Sequence, residues 1–181
     1  TSYAIQVLGG HGFIKEWGME QLLRDTKICC LYEGTTGIQA LDLIGRKVLG
    51  NKGVLLNDFS NEIVEFCQTH QTGETSEYCA ALKEYVELWQ EVTQDIAMKA
   101  SKDPDEIGAA SVDYLMLSGY ITLAYMWIKM AKTAQAALDS KARETDFYKA
   151  KLQTAEFCLK LIFTLQFLVG IFYPFFAHNI F

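Results

Sequence analysis

Only two prolines, Pro104 and Pro174, interrupt 181 residues. A proline inside a helix removes a hydrogen bond and clashes with the preceding turn, so long proline-free stretches leave room for long helices and speak against a many-turned β-sandwich. The apolar residues use that room. Leu56, Phe59, Ile63 and Phe66 recur at spacings of three and four, as do Leu82, Tyr85, Trp89, Val92 and Ile96. Tyr114, Leu117, Ile121, Ala124, Ile128 and Ala131 follow in heptad-like order. Each set falls on one face of a 3.6-residue period. No stretch alternates apolar and polar residues for long enough to make a strand. The breaks are Gly73 with a cap at Ser76, then Asp103-Pro104-Asp105, then Asp139-Ser140. A last helix is expected from about Lys141 toward Gly170 or Pro174. The fold class these features predict is all-α, an antiparallel helical bundle with short connections.

Composition narrows the function. Half the residues are hydrophobic and 21% are charged, which argues against disorder. Twenty-two acids against sixteen Lys and Arg give a net charge of −6 without a basic block, and non-specific binding to nucleic acid needs clustered cations. The five cysteines are odd in number and Cys29 and Cys30 are adjacent, so neither a disulfide framework nor a zinc knuckle is written here. Reduced thiols in a cytoplasmic protein are the simplest account, with Cys29 and Cys30 expected as buried packing. His11, His70 and His178 are scattered, so no metal site is expected, and His11 reads as a turn residue. Nothing nominates a Ser/His/Asp triad. Gly45 to Lys52 hints at a phosphate loop, but Gly45 sits inside a helical pattern. The chain opens on Thr1 within a helical-looking segment, which reads as the C-terminal piece of a longer protein. From Leu161 to Phe181 there is no Lys, Arg, Asp or Glu, near the length that spans a bilayer. Gln166, Gly170, Pro174 and Asn179 interrupt that run, so core or subunit interface is expected ahead of membrane-surface contact.

Residues 1–50 are richer in glycine and hold three strings: Gln6-Val7-Leu8-Gly9-Gly10-His11-Gly12-Phe13, then Arg24-Asp25-Thr26-Lys27, then Tyr32-Glu33-Gly34-Thr35-Thr36-Gly37-Ile38-Gln39. Thr36 through Gln39 follow the S/T-x-x-Q pattern of a capping box, with Thr36 as N-cap. The helix it opens places Ile38, Leu41, Ile44 and Val48 on one face and pairs Asp42 with Arg46 on another. Gly50-Asn51 suits its stop.

In this order and at these spacings, the three strings resemble the C-terminal helical domain of the flavin-dependent acyl-CoA dehydrogenases. Gln39 to Lys47 and Tyr114 to Trp127 are similar to the additional helical extension of a longer-chain subgroup. The division implied is 1–50, the end of the dehydrogenase domain, and 51–181, the extension. The resemblance implies oxidation of an acyl-CoA to a trans-2-enoyl-CoA, as in fatty acid β-oxidation. An α-proton leaves to a base and a β-hydride goes to FAD. Such a base needs a raised pKa, and a glutamate flanked by Leu31, Tyr32 and Gly34 suits this if they form an apolar pocket. Gly34 would let an acyl chain approach the backbone, and the N–H groups opening the next helix offer a place for polar cofactor atoms.

By position, Glu33 matches the base, and its own N–H would help hold the thioester carbonyl. Gly34 matches a substrate contact, and Thr35, Thr36 and Gly37 match the segment touching the flavin. Gln6, Val7, Leu8, Gly9 and Gly10 match a segment contacting the adenine end of FAD held mainly by a partner subunit, which implies a homodimer or higher oligomer. Arg24 and Asp25 match a structural positioning pair. Electrons would leave to an electron-transfer flavoprotein. The alternatives are an acyl-CoA oxidase, or a helical oligomerisation or membrane-docking module. The 181 residues alone are expected to be inactive.

Overall fold

The punctuation in the sequence is where the chain turns. A computed structural model describes the backbone of residues 1–70, 73 and 75–179, and side chains up to residue 164. Helices α1 (Ser2–Leu8), α2 (Gly10–Phe13) and α3 (Met19–Lys27) come first, with tight 3-10 turns at Lys15–Trp17 and Ile28–Cys30. Helix α4 (Thr36–Leu41) runs on into a wider helical segment, Asp42–Leu49. There the Gly50 N–H reaches five residues back to Gly45 O at 2.9 Å. Then come α5 (Val54–Thr69), α6 (Ser76–Ala100), α7 (Asp105–Asp139) and α8 (Thr145–Asn179). No strand occurs among the described residues. Asp103 accepts the Asp105 N–H at 3.0 Å and so caps α7 past Pro104. Lys141 takes a left-handed φ of 59° just after α7, which delays α8 to Thr145 rather than Lys141. Helix α8 does not stop at Gly170 or Pro174 but continues to Asn179.

Helix α7 is the centre of the bundle and packs against α8, α6 and the α4 segment, while α5 packs on α6. All six of its periodic residues, Tyr114 through Ala131, are buried. Leu82, Trp89, Val92 and Ile96 of α6 and Leu56 and Ile63 of α5 join them, with Tyr85, Phe59 and Phe66 at the margin. Polar links fix the register: Tyr114 Oη and Thr93 Oγ1 lie 2.8 Å apart, and Thr93 donates to Trp89 O at 2.7 Å. Tyr125 of α7 donates to Glu62 of α5 at 2.8 Å and accepts from Lys129 at 3.2 Å. Phe163 lies nearly parallel to Tyr78 and Tyr85, at 6.0 and 5.7 Å, and docks α8 onto α6.

Two further expectations change. In the first helix after the glycine-rich region, Ile44 and Val48 are buried, but Ile38 and Leu41 are 57% and 43% exposed. Ala40 takes the inner place instead, because widening of the helix beyond Leu41 lines up residues 40, 44 and 48 at intervals of four. Cys29 and Cys30 are exposed rather than buried, since α1 to α3 and their turns pack on one another and the bundle does not cover them. Cys67 and Cys79 are the buried thiols, at facing ends of α5 and α6. Of the uncharged run from Leu161, Ile162 is buried and Leu161 half-exposed, while the side chains from 165 on lie outside the described residues. By length and composition α7 is also apolar enough to cross a membrane; its inner face is spent on the core, and Val112, Met116, Leu123, Met126 and Met130 line its outer face.

Candidate functional site

The turn into α4 is built from two successive left-handed residues. Leu31 and Tyr32 both donate their N–H groups to Ile28 O, at 2.9 and 3.1 Å, which ends the preceding turn. Glu33 then has φ +60° and Gly34 φ +107°, and the chain reverses into Thr35, the N-cap of α4. A non-glycine residue in that conformation costs on the order of 1 kcal/mol and persists only where its surroundings impose it. Lys52 and Lys141 share the conformation at the ends of helices, where it is ordinary; Glu33 enters one. At Gly34 a Cβ would stand 2.8 Å from Ile38 Cγ2, so the backbone needs glycine there whatever binds nearby.

Gln39 holds this turn. Its Nε2 donates to the Glu33 carbonyl at 2.6 Å, reaching back over six residues. The expected capping box is therefore corrected. Thr35, not Thr36, is the N-cap, and Gln39 lies one position too far along to serve the cap's N–H, so its amide donates to a carbonyl instead. Glu33, Ile38, Gln39, Asp42, Arg46 and Lys47 line an open concavity of about 280 Å³. Arg46 donates from Nε and Nη2 to the two oxygens of Asp42, and Lys47 Nζ lies 3.4 Å away. The Arg46 hydrogen bond, assisted by Lys47, holds the Asp42 carboxyl below its ordinary range. Neither the N–H nor the carboxylate of Glu33 has a hydrogen-bond partner among the described residues. The apolar pocket expected around that carboxylate is absent: Leu31 and Tyr32 are 61% and 52% exposed, because the turn stands clear of the bundle. The Tyr32 phenol is pushed up first by Cys29 and then by Glu33.

The N-terminal turn of α4 carries no side-chain cap, and a Cβ built at Gly37 would meet nothing within 4 Å. The N–H groups of Thr35, Thr36 and Gly37 have no backbone acceptor among the described residues, so they are available to polar atoms of a bound group. Gln6 to Gly10 lie elsewhere: they form the end of α1, which packs on α2 and α3 rather than on α4. Gly9, with φ 57° and ψ −137°, closes α1, and Gly9 and Gly10 both leave open space where a Cβ would point. None of these five residues is among those that line the concavity beside Glu33. Asp25 accepts from Gln21 at 2.7 Å rather than pairing with Arg24. His11 lies edge-on to Trp17 at 5.2 Å. Gly12, unremarked as a packing residue, is the buried point where α2 crosses α1: a Cβ there would lie 2.6 Å from Ile5 O. Asp42 and Arg46 were legible as a pair on one helix face, but neither they nor Lys47 as the wall beside Glu33.

A helical bundle with a carboxylate on a left-handed turn at its edge defines the class, and comparison with known proteins gives the family. The family described as "Acyl-CoA dehydrogenase, C-terminal domain" matches residues 1–49, and "Acetyl-CoA dehydrogenase C-terminal like" matches 59–164. A broad-specificity linear acyl-CoA dehydrogenase of Mycobacterium tuberculosis is 35% identical over 87% of this chain and 27% of its own length. A 3-methylmercaptopropionyl-CoA dehydrogenase of Ruegeria pomeroyi is 36% identical over 86% and 27%, and a butyryl-CoA dehydrogenase of Syntrophomonas wolfei is 30% identical over 87% and 26%. The chain belongs to the acyl-CoA dehydrogenase family. It spans about a quarter of the length of these relatives.

Proposed function

We propose that this chain is the catalytic-turn and C-terminal helical portion of an FAD-dependent dehydrogenase that converts an acyl-CoA to a trans-2-enoyl-CoA. The observation that carries the reading is the Glu33 turn. A carboxylate and a backbone N–H, neither with a hydrogen-bond partner among the described residues, sit on the same residue, in a conformation a side chain rarely adopts. Glu33 takes the α-proton, while its own N–H donates to the thioester carbonyl as negative charge develops there. Placing both functions on one residue keeps base and oxyanion donor within one side-chain length of each other. Ile38 fills the space where a Gly34 side chain would stand, so Gly34 meets the acyl chain through its backbone alone. FAD, when bound, accepts the β-hydride, and Thr35, Thr36 and Gly37 offer it backbone donors. The apolar wall around Glu33 comes from parts of a longer protein, and Gln6 to Gly10 serve a second flavin site across a subunit contact. An electron-transfer flavoprotein is the proposed acceptor.

The full-length protein provides the test. It is expected to be yellow and to bleach anaerobically with an acyl-CoA, while Glu33→Gln keeps the colour and bleaches at least about 10²-fold more slowly, the lower range for loss of a general base. Unchanged bleaching in that variant would remove Glu33 from the mechanism.

A further inference from the structure

We propose that Gln39 is a positioning residue for Glu33, setting the direction of its carboxylate and N–H through the hydrogen bond from Gln39 Nε2 to the Glu33 carbonyl. This rests on the reading of Glu33 as the base. The peptide that carries the Glu33 carbonyl is also the one that joins Glu33 to Gly34, both left-handed at φ +60° and +107°. A peptide between two such residues is free to rotate unless something grips its oxygen. No backbone N–H does so among the described residues; the Gln39 amide does, at 2.6 Å. A change in ψ of Glu33 that φ of Gly34 does not compensate would swing the Glu33 N–H and side chain relative to the concavity, and holding the carbonyl opposes it.

Gln39 is itself well anchored. Its own N–H bonds Thr35 O at 3.0 Å, and it precedes Ala40, which is fully buried against the bundle. The wider segment that follows buries Ile44 and Val48 beside α7. The amide therefore transmits the fixed position of α4 to a turn that otherwise stands clear of the core. Gln39 also lines the concavity, so its effect falls where substrate would lie. Misplacement of a reacting group by about 1 Å can cost about 10²-fold in rate.

The test uses Gln39→Leu and Gln39→Glu in the full-length flavoprotein, since neither new side chain can donate to a carbonyl at neutral pH. Both are expected to keep flavin content and acyl-CoA affinity while anaerobic bleaching slows about 10- to 100-fold, the change sitting in the rate constant and not in binding. Amide hydrogen exchange in the peptide covering 32–38 is expected to quicken, with α7 unchanged. Placed on Glu33→Gln, each substitution should slow the residual rate by less than it slows the wild type, because the carboxylate it positions is gone and only the N–H at position 33 remains for it to act on. Wild-type bleaching in both Gln39 variants, with Glu33→Gln inactive, would overturn the positioning role and leave the base reading intact. Full bleaching in Glu33→Gln would defeat both. Global unfolding of both variants would also overturn the proposal, by making Gln39 a residue of the fold.

Discussion

At the scale of single residues, Gly34 is the sharpest constraint in the site. A side chain there meets two penalties at once: a φ of +107° and a Cβ 2.8 Å from Ile38 Cγ2. Gly34→Ala should therefore reshape the turn rather than merely strain it, at a cost of about 1–3 kcal/mol if the turn is kept. Because the turn stands clear of the bundle, the chain is expected to escape most of that cost by letting the turn move. The thermal midpoint should then shift by only a few degrees, while flavin bleaching by acyl-CoA falls at least tenfold; a midpoint lowered by ten degrees or more with bleaching intact would contradict this (rough sizes from the stability scale of small domains). Glu33 and Gly34 were legible in the sequence because their neighbours fix the motif. The bond made by Gln39 was not, since a carboxamide donates as readily as it accepts and the capping-box pattern counts spacing only. The exposure of Cys29 and Cys30 was hidden for a related reason: helical spacing says which residues share a face, not whether anything covers it.

At the scale of elements, the face of α7 could be read directly and that of α6 nearly so, whereas α5 buries Ser60 and Cys67 beside Leu56 and Ile63 and leaves the larger Phe59 and Phe66 at the margin. The α4 segment could not be read, since nothing in Asp42–Leu49 announces hydrogen bonds five residues long, and the widened pitch exchanges Leu41 for Ala40. The register between α6 and α7 rests on Tyr114. Its hydroxyl bonds Thr93 deep in the core, and burial raises its pKa above the ordinary 10.0. The sign follows from that direction. Below about pH 10 the phenol is neutral in both folded and unfolded chains, and its contribution is complete. Above it the unfolded chain ionises first, so stability falls as pH rises through the elevated folded value. Urea midpoints should accordingly drop above about pH 10. Tyr114→Phe should lose about 1 kcal/mol at neutral pH, the value of one buried hydrogen bond, and should show a shallower alkaline decline. An equally steep decline in the variant would assign the alkaline loss to other groups.

At the scale of the whole molecule, the chain divides by burial rather than by any single linker. Every described buried residue except Gly12 lies at Ala40 or beyond, up to Ile162. Before Ala40, large apolar residues such as Tyr3, Val7, Phe13 and Leu31 face outward, and α1 to α3 pack chiefly on each other. On the far side, the outer face of α7 keeps Met116, Leu123 and Met126 exposed. A helical unit starting at Thr36 thus contains the bundle core, the α4 anchor and the concavity wall from Ile38 to Lys47, and loses only the turn and the α1–α3 segment. Such a chain, residues 36–181, is expected to remain helical by far-ultraviolet circular dichroism and to unfold in one urea transition. Its unfolding free energy should lie within about 1 kcal/mol of the parent, because little buried apolar surface is removed. Loss of a cooperative transition would mean that α1 to α3 support the bundle through contacts that their exposure conceals, with the outer face of α7 as the place to look for them. Retention would locate fold and chemistry on two sides of one boundary: the bundle supplies rigidity from Ala40 onward, and Gln39, the last residue before that core, carries it to the carboxylate of Glu33.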